Sequence, residues 1–108
     1  MTIICSNHIE IRNSVLIGWD TLIMDNDFHY VKYRGQNRIP PCIGSVLIGE
    51  HVWIGCRVTI LKNSSIPNGS VVASSSVITK QFTEPYILLA GNPAFVKKHN
   101  IEWLHDIV

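Results

Sequence analysis

The sequence contains few charged residues and no long hydrophobic run. Its nine basic and eight acidic side chains leave a net charge of +1, which argues against a general nucleic-acid-binding protein. No apolar stretch approaches the ~20 residues that span a bilayer. The first ten residues also lack the basic and apolar regions of a signal peptide. We therefore expect no nucleic-acid partner, no membrane insertion and no secretion signal.

Cysteine is scarce as well. The three cysteines are Cys5, Cys42 and Cys56, an odd number with no CxxC pair, so neither a disulfide framework nor a zinc site is indicated. Cys5 and Cys42 occupy inward positions of the repeat described next, where cysteine acts as a small hydrophobic residue. This usage predicts a reducing, cytoplasmic location.

The dominant feature is an aliphatic or similar residue at every sixth position. The fourth residue after it is small or β-branched, as in Val46, Val52, Val58 and Ser64. A period of six fits neither an α-helix nor a simple alternating strand. The positions are Cys5, Ile11, Ile17 and Ile23 in a first run, then Cys42, Ile48, Ile54, Ile60, Ile66, Val72 and Ile78 in a second.

This period predicts an all-β fold, a parallel β-helix in which each hexapeptide is one short strand and one corner. Three hexapeptides close one turn of a triangular prism, and successive turns stack as parallel strands. The aliphatic positions fill the prism, and the small positions let the corners close. A chain of 108 residues is one domain, with coils at 5–28 and 42–83, which is under four turns.

Two segments depart from the repeat. Residues 29–41, HYVKYRGQNRIPP, contain Gly35 and two adjacent prolines and predict a protruding loop. In the tail, 84–108, Ile101, Leu104 and Val108 are spaced for one helix face, so we expect a short C-terminal helix that covers an open end of the prism. No cap precedes Cys5, so we expect either that N-terminal coils are lacking or that a partner covers that end.

The repeat breaks at His29, which stands where the next aliphatic residue belongs. Asp25, Asp27 and His29 are two residues apart, so in an extended segment they point the same way. A carboxylate beside a histidine fixes the ring tautomer, as in a general-base arrangement. Two other interpretations stay open: His29 is simply the first loop residue with the aspartates at a corner, or the three residues form a metal site.

The segments VLIGWDTLIMDNDFH, VWIGCRVTILKNSSIPNGSVVASSSVITK and AGNPAFVKK resemble the hexapeptide-repeat O-acetyltransferases, including galactoside, maltose and serine acetyltransferases. The resemblance covers roughly residues 11–98, and the DNDFH form is most similar to the polysaccharide and lipopolysaccharide branch. It implies a left-handed β-helix. It also implies a homotrimer that transfers acetyl from acetyl-CoA to a sugar or glycan hydroxyl, with no metal required.

The resemblance assigns roles to individual positions. His29 is the general base for direct attack on the thioester, with Asp27 and Asp25 behind it. The CoA-binding positions are Cys56, Ser74, Thr79, Lys80 and Lys98. Phe95 stands where the family often has a basic residue, so either Lys97 replaces that residue or the adenine contacts are apolar.

The acceptor site is predicted from aromatic residues and from the loop. Trp53 faces outward by alternation with Ile54, where it would support a sugar or the pantetheine arm, or pack in a subunit interface. Trp19 and Tyr30 are further candidates for the acceptor pocket. Lys32, Tyr33 and Arg34 of the loop suggest a polar, anionic glycan.

Two alternatives compete with this assignment. The chain is either an O-acetyltransferase, a non-catalytic or truncated β-helix module, or a metal hydratase of the γ-carbonic-anhydrase type. The hydratase needs three convergent histidines, and only His29 is suitably placed. Cys56 as a covalent nucleophile is disfavoured because no base lies near it in the sequence.

Overall fold

The six-residue period produces three parallel sheets that wind around one core. The structure is a computed structural model and describes residues 1–107. Sheet A has the order β1-β4-β7-β10, sheet B has β2-β5-β8, and sheet C has β12-β11-β9-β6-β3. The strands are β1 (Thr2–Ile4), β2 (His8–Ile11), β3 (Leu16–Ile17), β4 (Leu22–Met24), β5 (Ser45–Ile48), β6 (Trp53–Ile54), β7 (Thr59–Ile60), β8 (Ser64–Ile66), β9 (Val71–Val72), β10 (Val77–Ile78), β11 (Leu88–Gly91) and β12 (Ala94–Lys98).

The chain visits the sheets in the order A, B, C and then returns to A, so each turn is one coil of a parallel β-helix. Coil 1 contains β1–β3, coil 2 β4–β6, coil 3 β7–β9, and coil 4 β10 and β11. Ile60 pairs with Ile78 and Ile48 with Ile66. These partners are 18 residues apart, which confirms three hexapeptides per turn.

The core consists of the predicted positions of the second run. Every aliphatic position from Ile48 to Ile78 is at most 1% exposed, and Cys42 is 8% exposed. The small positions from Val46 to Ser76 are buried too. Ser64 Oγ donates to the carbonyl of Ile78 and Ser70 Oγ accepts from the N–H of Ile87, so these buried hydroxyls are satisfied.

Seven corners have a left-handed backbone at the third residue after an inward position. There φ lies between 52° and 69°, a region that non-glycine residues seldom adopt. The residues are Ser14, Asp20, His51, Arg57, Asn63, Gly69 and Ser75. Asp, Asn and Gly tolerate this conformation best, and each occurs at one of these corners. The six-residue period therefore extends to backbone conformation.

Coil 1 departs from the predicted register. Ile3 pairs with the buried Ile23, so Ile3 rather than Cys5 holds the inward position of β1. The interval from Ile3 to Ile11 is two residues longer than a hexapeptide, and the extra residues form the corner that contains Cys5. The predicted inward position of Cys5 is therefore wrong: its side chain is exposed.

The tail does not form the predicted helix. β12 pairs antiparallel with β11, and residues 99–107 contain no helix. The predicted C-terminal helix is therefore absent from the described part of the tail, and Val108 lies outside the described residues. Trp103, which the helix pattern did not use, is the buried residue within 99–107. Residues 1–107 contain no helix that is long and apolar enough to cross a membrane.

Candidate active site

The His29 segment begins where the chain leaves β4 at the A–B edge of coil 2. Asn26 forms a bridge with Ile43, and the Asp27 N–H donates to the carbonyl of Cys42 at 2.9 Å. These bonds join the two ends of loop 29–41, and every residue of the loop is exposed. His29 is thus presented to solvent at the base of a loop with a fixed stem.

Lys62 ties the same stem from coil 3. Its ammonium group lies 3.1 Å from an Asp27 carboxylate oxygen and donates to the carbonyl of Pro41 at 3.1 Å. One side chain therefore connects both ends of the loop to the next coil. Sequence analysis missed Lys62. Its position after Leu61, one coil before Lys80, is the signal that could have shown it on the same edge.

Asp25 is fully buried and serves the first coil. Its Oδ1 accepts the N–H of Ser6 at 2.8 Å, and its Oδ2 accepts the N–H groups of Asn7 and His8 at 2.9 and 2.8 Å. Burial raises the pKa of Asp25, but these hydrogen bonds outweigh it and lower the pKa below its usual value. The carboxylate therefore stays ionised and holds the corner of coil 1.

The structure does not bring the three predicted catalytic residues into hydrogen-bond contact. Asp25 binds backbone, Asp27 pairs with Lys62, and within residues 1–107 no hydrogen bond links either carboxylate to His29. Interaction with the Cys42 thiol raises the pKa of the Tyr30 phenol. Of the two aspartates, only Asp27, which is two residues from His29 in sequence, has an exposed side chain.

A groove of about 400 Å³ lies along sheet C and the C–A edge. It brings together four predicted site residues, Trp19, Trp53, Cys56 and Ser74. The Cys56 thiol donates to Ser74 Oγ at 3.4 Å, and both indoles are exposed, Trp19 by 84% and Trp53 by 43%. The remaining lining residues are Leu16, Ile17, Gly18 and Gly55.

Glycine is required at position 55 beside this groove. A Cβ atom at position 55 would lie 2.7 Å from Ser74 Oγ and 2.8 Å from Ser74 N, closer than atoms can approach. Gly55 therefore lets coils 2 and 3 stack closely, and Gly18 and Gly55 add no side chain to the groove lining, which suits a narrow ligand arm. Sequence analysis did not assign a role to Gly55, although a glycine directly after an inward position also occurs at Gly18.

A second group of predicted residues lies at coil 4. The Lys80 ammonium is 5.2 Å from the Phe82 ring centroid and 5.4 Å from that of Phe95, and the Lys97 ammonium is 6.0 Å from Phe95. These are cation–π distances. Thr79 and Lys98 are exposed nearby in sequence, Lys98 opposite Leu88 in the hairpin. Phe95 is thus flanked by two cations.

The comparisons with known proteins bear on this geometry. No family model matches the chain. The chain is 36% identical over 110 residues to WbbJ of Escherichia coli K12, provisionally named a lipopolysaccharide biosynthesis O-acetyl transferase, covering 88% of this chain and 56% of WbbJ. Its structure matches the polySia-specific acetyltransferase NeuO with a TM-score of 0.90 and 27% identity, over 96% of this chain and 48% of NeuO.

The chain is a homologue of the hexapeptide-repeat O-acetyltransferases. A further match is a hexapeptide-repeat acetyltransferase of Vibrio cholerae, solved with acetyl-CoA, at a TM-score of 0.71 and 31% identity over 84% of this chain and 49% of that one. The predicted resemblance is therefore confirmed. The chain itself spans about half the length of the curated relatives it matches.

Proposed function

We propose that the protein is an acetyl-CoA-dependent O-acetyltransferase that acts on a sugar or polysaccharide hydroxyl. His29 removes the hydroxyl proton, and the oxygen attacks the thioester carbonyl carbon directly. The carbon–sulfur bond then breaks, and the CoA thiolate takes the proton from the imidazolium. Proton removal by a positioned base contributes typically about 10²–10⁴-fold to the rate.

The groove on sheet C is the observation that carries this proposal. Cys56 and Ser74, which the family resemblance assigned to the cofactor, line one cavity with Trp19 and Trp53, which were predicted for the acceptor site, and Gly18 and Gly55 add only backbone to it. A pantetheine arm is narrow and carries amides, so it can lie against exposed backbone between two indoles. Cys56 and Ser74 would border the thioester end.

The cations around Phe95 support a place for the other end of CoA. Lys80 and Lys97 present ammonium groups beside an exposed aromatic ring, which suits phosphates together with a flat purine. We assign Thr79 and Lys98 to the same region. Lys97 and Phe95 thus both contribute, which combines the two possibilities that the sequence left open.

We propose a homotrimer, which the positions of the base and the groove support. His29 lies at the A–B edge of coil 2, whereas Trp19 lies at the C–A edge. About six residues of chain separate these edges, or ~20 Å at ~3.3 Å per residue. Reacting atoms must come within ~3.5 Å. A closed threefold ring places the A–B edge of one subunit beside the C–A edge of the next.

The loop supports an assignment of the acceptor side. The molecule is 58 Å long but only 24 by 20 Å across, whereas four stacked coils span only ~15 Å, so residues outside the coils extend beyond the prism. We propose that this loop protrudes toward the neighbouring subunit. Tyr30 at its base, with Trp19 and Trp53 of the adjoining groove, would contact the glycan.

Two further assignments rest on the family and on the thiols. We assign the left-handed coil sense of the family to this β-helix. We also place the protein in the reducing cytoplasm, in agreement with the three cysteines, which are all free thiols.

The central test is the acetyl-transfer activity of His29→Ala with acetyl-CoA and a panel of sugars. We expect a fall of at least about 10²-fold in kcat with little change in the KM for acetyl-CoA. His105→Ala, which removes an exposed histidine of the tail, is the control. Equal activity of His29→Ala and the wild type would refute the mechanism.

Mixing two inactive variants tests the shared site. Ser74→Tyr fills the groove and His29→Ala removes the base, but a hybrid trimer contains an interface with an intact copy of each. We expect activity to return after unfolding and refolding the two variants together. Absence of any recovery, or a monomer by light scattering, would contradict the inter-subunit site.

A further inference from the structure

The residues after β12 form a strap along the B–C edge of the prism. We define the strap as residues 99–103. The Ile101 N–H donates to the Tyr86 carbonyl at 2.9 Å in coil 4, and His99 pairs with Glu84. At its far end, Trp103 Nε1 donates to the carbonyl of His51 at 2.7 Å in coil 2. The strap therefore runs back over three coils.

Trp103 makes three contacts with His51. The two rings are parallel to within 6° with centroids 4.0 Å apart. His51 Nε2 lies 3.1 Å from the Trp103 carbonyl, and because a carbonyl only accepts, Nε2 carries the proton. Together with the Nε1 bond, these contacts are reciprocal, and Trp103 is only 8% exposed. The indole has one fixed orientation.

Trp103 also contacts the groove wall. Its ring centroid is 6.0 Å from that of Trp53, with the planes inclined by 47°, an arrangement that aromatic pairs favour. Trp53 lies on the two-residue strand β6 and is 43% exposed. Its outward indole has sheet on one side and the groove on the other. The fixed Trp103 ring limits the rotamers that Trp53 can adopt.

We propose that Trp103 is a positioning residue that holds the Trp53 indole as a wall of the groove and thereby sets the affinity for CoA. The inference rests on the proposed function, because it takes the groove as the CoA site. Trp103 itself does not line the groove, and it acts only through Trp53. The strap thus connects the end of the chain to ligand binding two coils away.

Fluorescence tests the positioning without any ligand. The chain has three tryptophans, so in Trp19→Phe/Trp103→Phe the emission comes from Trp53 alone. In the companion variant Trp19→Phe/Trp103→Ala, the ring that Trp53 contacts is removed. We expect a red-shifted emission and stronger acrylamide quenching in the Ala variant than in the Phe variant. Identical emission and quenching would overturn the inference.

Calorimetric titration with CoA tests the consequence for binding. An aromatic pair of this kind corresponds to about two- to tenfold in affinity. We expect Trp103→Ala to weaken CoA binding by that factor, Trp103→Phe to retain most of it, and kcat at saturating acetyl-CoA to stay within about twofold. Leu104→Ala, at an exposed neighbour, is the control. Trp103→Leu replaces the Ala variant if the latter does not fold.

The outcomes separate the two claims. If wild-type protein binds CoA and Trp103→Ala binds it equally well, the inference is wrong and the proposed function stands. If Trp103→Phe binds CoA as weakly as Trp103→Ala does, and the Trp53 emission is the same with either residue at position 103, the strap only stabilises the fold. The inference is again wrong in that case. If the wild type does not bind CoA, the proposed function fails, and the affinity claim fails with it.

Discussion

The Tyr86 ring occupies the space above Gly69, one coil away on the B–C edge. A Cβ atom at Gly69 would lie 2.3 Å from Tyr86 Cδ1 and 2.5 Å from Cε1. Gly69 also has a φ of +69°, the left-handed corner conformation. Two separate requirements therefore select glycine here, and Ile101 of the strap is bonded to the same Tyr86.

Gly69→Ala should destabilise the protein by about 2–3 kcal/mol, since the left-handed backbone costs ~1–2 kcal/mol and Tyr86 must also move. The free energy of unfolding in urea measures this. Gly35→Ala is a matched control because Gly35 has a φ of +81° but no atom within 4 Å of its Cβ position. It should lose only the backbone contribution, and equal losses would contradict the role of Tyr86.

Asp25→Asn should lower the free energy of unfolding at pH 7 by about 1–3 kcal/mol, because the amide NH₂ cannot accept the buried N–H groups. Its pKa is lowered in the native state, so its contribution is present above the usual 3.8 and is lost as pH falls through the lower native value. Denaturation at a series of pH values should show the two proteins converging in acid.

Asp20→Asn is the control for that series. Asp20 is exposed and occupies a left-handed corner, which asparagine tolerates equally well. We expect its unfolding free energy to match the wild type at every pH. A wild type and an Asp25→Asn variant that differ by the same amount at pH 3 and pH 7 would show that the Asp25 carboxylate does not carry the effect.

Arg34→Ser/Arg38→Ser should weaken binding of an acidic acceptor. Residues 29–41 contain Lys32, Arg34 and Arg38 and no acidic residue, and the loop is exposed beside His29. We expect the KM for carboxylated or phosphorylated glycans to rise about tenfold at low salt and less at high salt, with the KM for neutral sugars unchanged. Arg12→Gln removes a charge elsewhere, and an equal effect there would exclude a specific role for the loop.

The repeat shows how far the sequence predicts the fold. The inward positions from Cys42 to Ile78 are all buried, because a period of six admits one way of filling a prism. The inward position predicted for Cys5 was wrong because the corner of coil 1 holds two extra residues. A count of every sixth residue cannot detect such an insertion when the residue at the shifted position is also apolar. The helix predicted for the tail was wrong because Ile101 and Leu104 match a helical spacing by coincidence. The path of the tail is determined instead by the pairing of β12 with β11 and by the packing of Trp103.

The candidate site was predicted less completely. Trp19, Trp53, Cys56 and Ser74 were proposed separately, and the coil brings them into one groove. Asp25 was placed behind His29 by two-residue spacing, yet it caps the backbone of Ser6, Asn7 and His8. Alternation determines a direction only while the strand continues, and β4 ends at Met24.

The sequence by itself determined the parallel β-helix and its core, because a period of six is a local property of the chain. Only the tertiary structure decided which edge of the prism each site residue occupies, what Asp25 and Lys62 bind, and that Trp103 reaches the wall of the groove. Those contacts join residues between 17 and 52 positions apart. Their partners are set by how the coils stack, and no local pattern records that.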